Sequence, residues 1–187
     1  MKIGLLSSHR GQKQFEKEHA GIVSYLEKKG HQVVHSMDMT IEKLIPLSYP
    51  EREAIFMEFY TKLEDCDIVI AECSIQSTQV GFGLAHIRSK GKPIVILSIK
   101  GVGGEFATPG ETYSNVDNMF VSEYDLGTLS KVLDDALEYM QPHIDKRFTM
   151  IFPAYLLAKV EEVAHKKKLP KAVFIRQLIE QELQKNS

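Results

Sequence analysis

What this 187-residue sequence lacks narrows its class first. No apolar run approaches the roughly 20 residues that span a bilayer, and the opening MKIGLLSSHRG has too short an apolar run for a signal peptide. The expectation is a cytoplasmic protein with no membrane partner. There are two cysteines, Cys66 and Cys73, with no metal-ligand spacing and no resolving partner, so they read as buried thiols in a reducing compartment. The seven histidines are scattered. His31 and His35 share one face if HQVVH is a strand, but four residues at about 3.3 Å each put them about 13 Å apart, too far to hold one ion. Neither a metal site nor a cofactor is expected.

What is present is ordinary globular composition, 43% hydrophobic and 26% charged, enough for one large core or a medium core with a small module. The net charge of −2 is unevenly spread. Residues 144–187 carry nine Lys or Arg against five Asp or Glu, a local +4, which leaves −6 for residues 1–143. An acidic body and a basic tail are therefore expected, although a solvated lysine face has the same composition.

KIGLLS over Lys2 to Ser7 suits a central parallel strand buried on both faces. Phe15, His19, Ile22, Val23 and Leu26 recur at helical spacing up to Gly30, and His19 on that side reads as a packed histidine. Val33 and Val34 mark a second strand. Ser36 to Pro46 is a connection with room for a short helix, and Ser48 or Tyr49 opens a longer one with Pro50 in its first turn. Ile55, Phe56, Phe59, Tyr60 and Leu63 form its apolar stripe.

The stretch from Asp67 to Ile99 organises the rest, reading as a buried strand, a short polar loop, a helix and a second buried strand. In such a βαβ unit the end of a strand faces the start of a helix, where free amides and the helix dipole favour an anion. Beyond it, Gly101, Gly103, Gly104, Pro109 and Gly110, with Thr108, Thr112, Tyr113 and Ser114, read either as a binding loop or as simple disorder. Met119 to Tyr124 suits a last strand. Thr128 reads as the cap of a final helix that ends at Pro142.

SSHRG after the first strand, followed by DIVIAECSIQSTQVGFGLA, resembles the nucleoside 2-deoxyribosyltransferase family, most closely its 2'-deoxynucleoside 5'-phosphate N-hydrolase branch. The family pattern is a G-S-I-R-G-G loop and a D-x-V-x-A-E-V-x-x-P-S-x-G-V-G-Y-E segment. The resemblance covers residues 1 to about 140 and implies a doubly wound, mostly parallel α/β fold with a nucleotide or nucleoside ligand. It places Ser8, Arg10 and Gly11 in the first loop, and Ser77 at the serine that faces phosphate, where an ordinary N-cap is the competing reading. Val80, Gly81 and Phe82 fit V-G-Y, making Gly81 a further ligand-binding candidate. Gln76 and Gln79 replace a proline and a glycine. Gly83 stands where the family has its nucleophilic glutamate, and the region around Phe59 is apolar where the hydrolase branch has an aspartate. Glu72, at the strand end, is the remaining catalytic candidate.

In the tail, KRFTMIFP reads as a short alternating strand and is followed by two amphipathic helices parted at Leu169 and Pro170. This resembles the ribbon-helix-helix family of DNA-binding proteins. About 40 residues cannot bury enough apolar surface alone, so a homodimer or higher homo-oligomer is expected. With Phe148, Met150 and Phe152 inward, Arg147, Thr149 and Ile151 face outward. The resemblance implies contact with double-stranded DNA through Arg147, Thr149 and Lys171.

The expected organisation is thus a nucleotide-binding domain over 1–141 and a ribbon-helix-helix module over 145–187. The leading reading is a nucleotide-responsive DNA-binding regulator with a catalytically degenerate domain. The competing one is a nucleoside or nucleotide N-glycosidase or deoxyribosyltransferase using Glu72, with the tail serving assembly.

Overall fold

A computed structural model describes residues 1–37, 39–102, 118–144 and 150–185. The chain divides into two compact units, Met1–Asp145 and Lys146–Ser187.

The first unit is an α/β layer structure around five parallel strands: β1 (Lys2–Ser7), β2 (Gln32–His35), β3 (Ile68–Glu72), β4 (Ile94–Ile99) and β5 (Met119–Tyr124), in the order β2-β1-β3-β4-β5. Leu5 pairs with Ile70, Ile70 with Val95, and Val95 with Phe120 across four of them. β3 and β4 are buried throughout, as continuous apolar runs in a covered parallel sheet should be, and the edge strands β2 and β5 are only half-buried along much of their length.

Period two sends alternate side chains of each strand to opposite faces. Ile3, Leu5, Ile68, Ile70, Val95 and Leu97 meet Ile22 and Leu26 of α1 (Glu16–Lys28) and Leu133, Ala136 and Met140 of α5 (Leu129–Met140). Leu6, Val69, Ala71, Ile94 and Ile96 meet Phe59, Tyr60 and Leu63 of α3 (Tyr49–Glu64) and Val80 and Ile87 of α4 (Thr78–Ser89). A four-residue helix α2 (Ile41–Leu44) lies in the β2–α3 connection.

Local signals explain the boundaries. The Ser48 N–H donates to Glu51 Oε2 at 2.8 Å with Pro50 beside it, a capping box that starts α3. Gly30 ends the α1 turn at φ +81°, in the left-handed region open to glycine. Thr128 does not cap α5 through its own side chain. Instead the Thr128 N–H donates to Asp125 Oδ1 at 2.8 Å and the Leu129 N–H donates to the Asp125 carbonyl at 2.8 Å, so Asp125 sets the start.

The second unit contains α6 (Ala154–Lys166) and α7 (Lys171–Lys185). Lys168 turns the chain between them at φ +55°, and the Leu169 N–H closes α6 on the Ala164 carbonyl at 2.9 Å. Its buried apolar residues are Val160, Ala164 and Phe174, packed by Leu169 and Ile175. Met150 to Pro153 has no strand pairing within the described chain, and Ile151 is 94% exposed. Arg147, Phe148 and Thr149 lie outside the described residues, as do the loop candidates between Gly103 and Ser114.

Candidate functional site at the β1–β3 crevice

In the order 2-1-3-4-5 the chain leaves β1 to one face of the sheet, through α1, and leaves β3 to the other, through α4. Beyond the carboxyl ends of β1 and β3 the two connections diverge and open a crevice, which is where ligands sit in doubly wound folds. A cavity of about 390 Å³ occupies that place. Ser8, His9 and Arg10 line it from the loop after β1, and Gln76, Ser77, Thr78 and Gln79 from the start of α4. Arg52 and Phe56, one helical turn apart on α3, and Ile41, Leu44 and Ile45 from the α2 segment close it. A larger groove of about 580 Å³ lies against the first residues of β4 and β5, with Leu84, Ile94, Ile96 and Met119 in its wall. It is mostly apolar and lies away from the carboxyl ends of the strands, so the smaller crevice cavity is the better ligand site.

The lining of the crevice cavity is cationic. Two guanidinium groups, Arg10 and Arg52, reach it, and no acidic side chain lines it. Neither arginine is ion-paired with an acidic side chain among the described residues. Ser77 is the N-cap of α4, its Oγ accepting the Val80 N–H at 3.4 Å, and the first amides of the helix have no partner within the helix. Ser77 is thus an N-cap that also lines the cavity. Ser8 is 2% exposed and its Oγ has no hydrogen-bond partner among the described residues. His9, 7% exposed, has Nδ1 3.1 Å from Gln79 Oε1, and burial holds its pKa below the ordinary histidine value. The imidazole is thus neutral near pH 7.

Of the sequence candidates, Ser8, Arg10 and Ser77 come together at this cavity. Gly11 and Gly81 are not in its wall. Gly11 makes the turn after β1, its N–H donating to the Ser8 carbonyl at 3.0 Å, and a Cβ there would meet Ile75 at 3.0 Å. Gly81 is exposed on α4. Sequence reasoning missed His9, Arg52 and Gln79. His9 and Gln79 stood inside the quoted motifs as departures from them, whereas Arg52 could be found only by noting that it shares a helical face with Phe56.

Glu72 is in the interior, 1% exposed and outside the cavity wall. His19 Nε2 lies 3.1 Å from Glu72 Oε2. The Ser74 N–H donates to Glu72 Oε1 at 3.1 Å, the Ser74 hydroxyl donates to the same oxygen, and Ser74 Oγ accepts the Ile99 N–H at 2.6 Å. The carboxylate therefore fastens α1, the end of β3 and the end of β4 together. Burial, with the Glu72 carboxylate second, pushes the Tyr124 phenol and the Cys73 thiol upward, the thiol to about 12.

Gly83 and the region around Phe59, where the resemblance leads one to expect carboxylates, both lie in the core. Phe59 is buried against the sheet. A Cβ at Gly83 would lie 2.8 Å from Tyr60 Cε1 and 2.9 Å from Leu6 Cδ2, so the glycine is required by packing. In the tail, Lys171 Nζ lies 2.6 Å from Glu161 Oε1, an internal partner for a charge that the sequence had assigned to DNA.

Comparison with known proteins now bears on this geometry. A protein of Methanococcoides burtonii named for 2'-deoxynucleoside 5'-phosphate N-hydrolase 1 is 29% identical over 122 residues, 62% of this chain and 95% of that one. One of the same name from Thermofilum pendens is 28% identical over 102 residues, 54% of this chain and 69% of that one. The structure of the Clostridium botulinum CMP N-glycosidase BcmB superposes with a TM-score of 0.50 at 18% identity, covering 72% of this chain and 98% of the other. The likeness is to N-hydrolases and N-glycosidases of nucleotides. It supports the deoxyribosyltransferase-like family for the α/β unit, and the superposition establishes its fold. No family model matches the chain. Nothing in the names of these proteins concerns DNA or regulation, so they favour the glycosidase reading over the regulator.

Proposed function

We infer that the Met1–Asp145 unit is a nucleoside 5'-phosphate-binding domain of the N-glycosidase type and that its ligand occupies the β1–β3 crevice. The observation that carries this is the convergence of Arg10, Arg52, Ser8 and the N-terminus of α4 on one cavity that no acidic residue lines. Two guanidinium groups, a buried hydroxyl without a partner and helix amides match a phosphomonoester oxygen by oxygen. An adjoining cavity of about 530 Å³ shares Arg52, Phe56, Thr78 and Gln79 and adds Tyr49, Glu53, Met57, Tyr60 and Phe82. Its aromatic wall suits a nucleobase, because every base has a face that stacks on a ring.

The reaction of this class breaks the C1'–N bond. The bonding pair leaves with the base, a water oxygen bonds to C1', and the water proton ends on the base or on solvent. A covalent glycosyl-enzyme is not part of the proposal: no carboxylate lines the crevice cavity, and Glu53, which lines the adjoining one, is exposed on α3. Two measurements test it together: calorimetric binding of a nucleoside 5'-monophosphate against the free nucleoside, and chromatography of the released base. Binding of the monophosphate that is lost in Arg10→Ala, with base release, is the expected result. Equal affinity for nucleoside and monophosphate refutes the phosphate assignment.

A second reading, binding without turnover, has its own support in Gly83, which leaves no side chain where the resemblance has its nucleophilic glutamate and where an added Cβ would crowd Tyr60 and Leu6. Tight binding with no released base selects it.

For the tail we propose self-association. Among the described residues of this unit three apolar ones are buried, Val160, Ala164 and Phe174, a small core for its length, and Tyr155, Leu178, Ile179 and Leu183 are exposed on its helices. Light scattering that gives a monomer mass for the full chain at micromolar concentration refutes it. Contact with an operator through Arg147, Thr149 and Lys171 remains the alternative use of such a dimer, tested by a salt-dependent shift of duplex DNA.

A further inference from the structure

Two residues of the crevice depart from the family motifs, and they are partners. His9 stands where the first motif has isoleucine, and Gln79 where the second has glycine. They are 70 residues apart in sequence, on the loop after β1 and in the first turn of α4, and His9 Nδ1 lies 3.1 Å from Gln79 Oε1. The Tyr60 hydroxyl donates to the Gln79 carbonyl at 3.0 Å, and the Phe56 ring lies 5.7 Å from that of His9, so both side chains are held from behind.

With Gln79 Oε1 as acceptor, His9 Nδ1 carries the proton and Nε2 is left as a lone-pair acceptor. His9 Nε2 and the Gln79 amide nitrogen are both shielded from solvent, and neither has a hydrogen-bond partner among the described residues. Both residues line the cavity, and behind its wall each carries a polar atom, one an acceptor and one a donor, that has no partner among the described residues. Buried polar groups without partners are uncommon and call for an occupant. A hydroxyl group is the small group that answers both, donating to the imidazole while accepting from the amide. A phosphate oxygen cannot donate to His9, and an aliphatic or aromatic carbon satisfies neither.

The geometry points to His9 and Gln79 as a recognition pair for a sugar hydroxyl of the bound nucleotide, specific to this chain and separate from the arginine and helix contacts to phosphate. The assignment rests on the nucleoside 5'-phosphate reading above. In such a ligand the group joined to the phosphate is the sugar, and the pair shares one 390 Å³ cavity with Arg10, Arg52 and Ser77. The substrate class is accordingly a nucleotide with its ring hydroxyls free, and a ligand stripped of them should be rejected.

The test is calorimetric titration of the full chain with CMP, 2'-deoxycytidine 5'-monophosphate and 2',3'-dideoxycytidine 5'-monophosphate. Wild type should bind the dideoxy compound at least about tenfold more weakly than the better of the other two, because its entry leaves both buried groups unpaired. His9→Ile, the family's own residue and close to the original volume, should bring the three affinities to within about twofold. His9→Gln, which keeps a polar atom at reach, should recover part of the difference. Arg10→Ala should weaken all three ligands by a similar factor and leave their ratio unchanged. If the dideoxy compound binds wild type as well as CMP does, or if His9→Ile keeps the full discrimination, the pair does not read the sugar and the phosphate reading stands. If a folded chain binds none of the three, the phosphate reading falls and this inference with it.

Discussion

Gly83→Ala is the substitution on which the account of the degenerate site can be tried most directly. In an exposed helix the change would stabilise, by up to about 1 kcal/mol, since glycine is the poorest helix former after proline. Here the added carbon would sit 2.8 Å from Tyr60 Cε1 and 2.9 Å from Leu6 Cδ2. Ordinary carbon–carbon separation is about 3.5–4.0 Å, so each neighbour must retreat by roughly 0.7 Å. Tyr60 is 2% exposed and tied by its hydroxyl to the Gln79 carbonyl, and Leu6 is fully buried in a central strand. Neither is the free end of a flexible side chain. Overpacking of this kind costs about 1–3 kcal/mol, which exceeds the propensity gain.

The expected net effect is a destabilisation of about 1–2 kcal/mol, or a fall of roughly 2–8 °C in the melting temperature. Leu6→Val should recover part of the loss when combined with Gly83→Ala, giving a non-additive cycle. Gly83→Glu, which restores the family's residue type, should cost more than alanine, since it adds a carboxylate to the same crowded place. Urea denaturation of the full chain measures all four variants. A Gly83→Ala protein as stable as wild type, or more so, would refute the claim that packing fixes this glycine.

Three further outcomes follow from the same structure. Glu72→Ala or His19→Ala, by leaving buried polar atoms without their hydrogen-bond partner, should lower stability by about 1–3 kcal/mol or more in urea denaturation, and an effect below 1 kcal/mol counts against the fastening role. Arg52→Ala should weaken nucleoside monophosphate binding about 10- to 100-fold by calorimetry, the worth of one charge-assisted hydrogen bond, while leaving the free nucleoside less affected. Burial pushes the thiols of Cys66 and Cys73 up to about 11 and 12, so alkylation at pH 8 should proceed only after unfolding, and rapid labelling of the native chain contradicts their placement.

The strands and most helices were legible because burial on both faces leaves a direct trace. IVIAE and IVILSI are apolar runs with no polar gap, and the capping pair Ser48–Glu51 with Pro50 announces α3. The expected tail strand has no counterpart at Met150 to Pro153, which carries no strand pairing among the described residues, because period-two alternation alone does not supply a pairing partner. Within the site, Ser8, Arg10 and Ser77 could be found because each sits at a motif position. Glu72 was chosen as a catalytic candidate for its charge at a strand end. Sequence could not reveal that His19, 53 residues earlier, and Ser74 engage both of its oxygens. Arg52 and the His9–Gln79 contact depend on how α3, α4 and the β1 loop meet, which no local pattern encodes.

Tyr60 links the two ways in which this crevice departs from the family pattern. Its ring edge fills the space a side chain at position 83 would need, and its hydroxyl accepts the task of holding the Gln79 backbone, donating to that carbonyl at 3.0 Å. The missing carboxylate and the added His9–Gln79 pair are therefore not independent changes, since the same aromatic residue supports both. A glutamate forced in at position 83 would displace Tyr60, release the first turn of α4 and loosen the wall that faces the ligand. Gly83→Glu should consequently weaken nucleotide binding. Tyr60→Phe, which removes the hydroxyl and keeps the ring, should loosen Gln79 while leaving the packing at Gly83 intact. Ser8 and Arg10, on the loop after β1, stand apart from this coupling, whereas Ser77, the N-cap of α4, shares it.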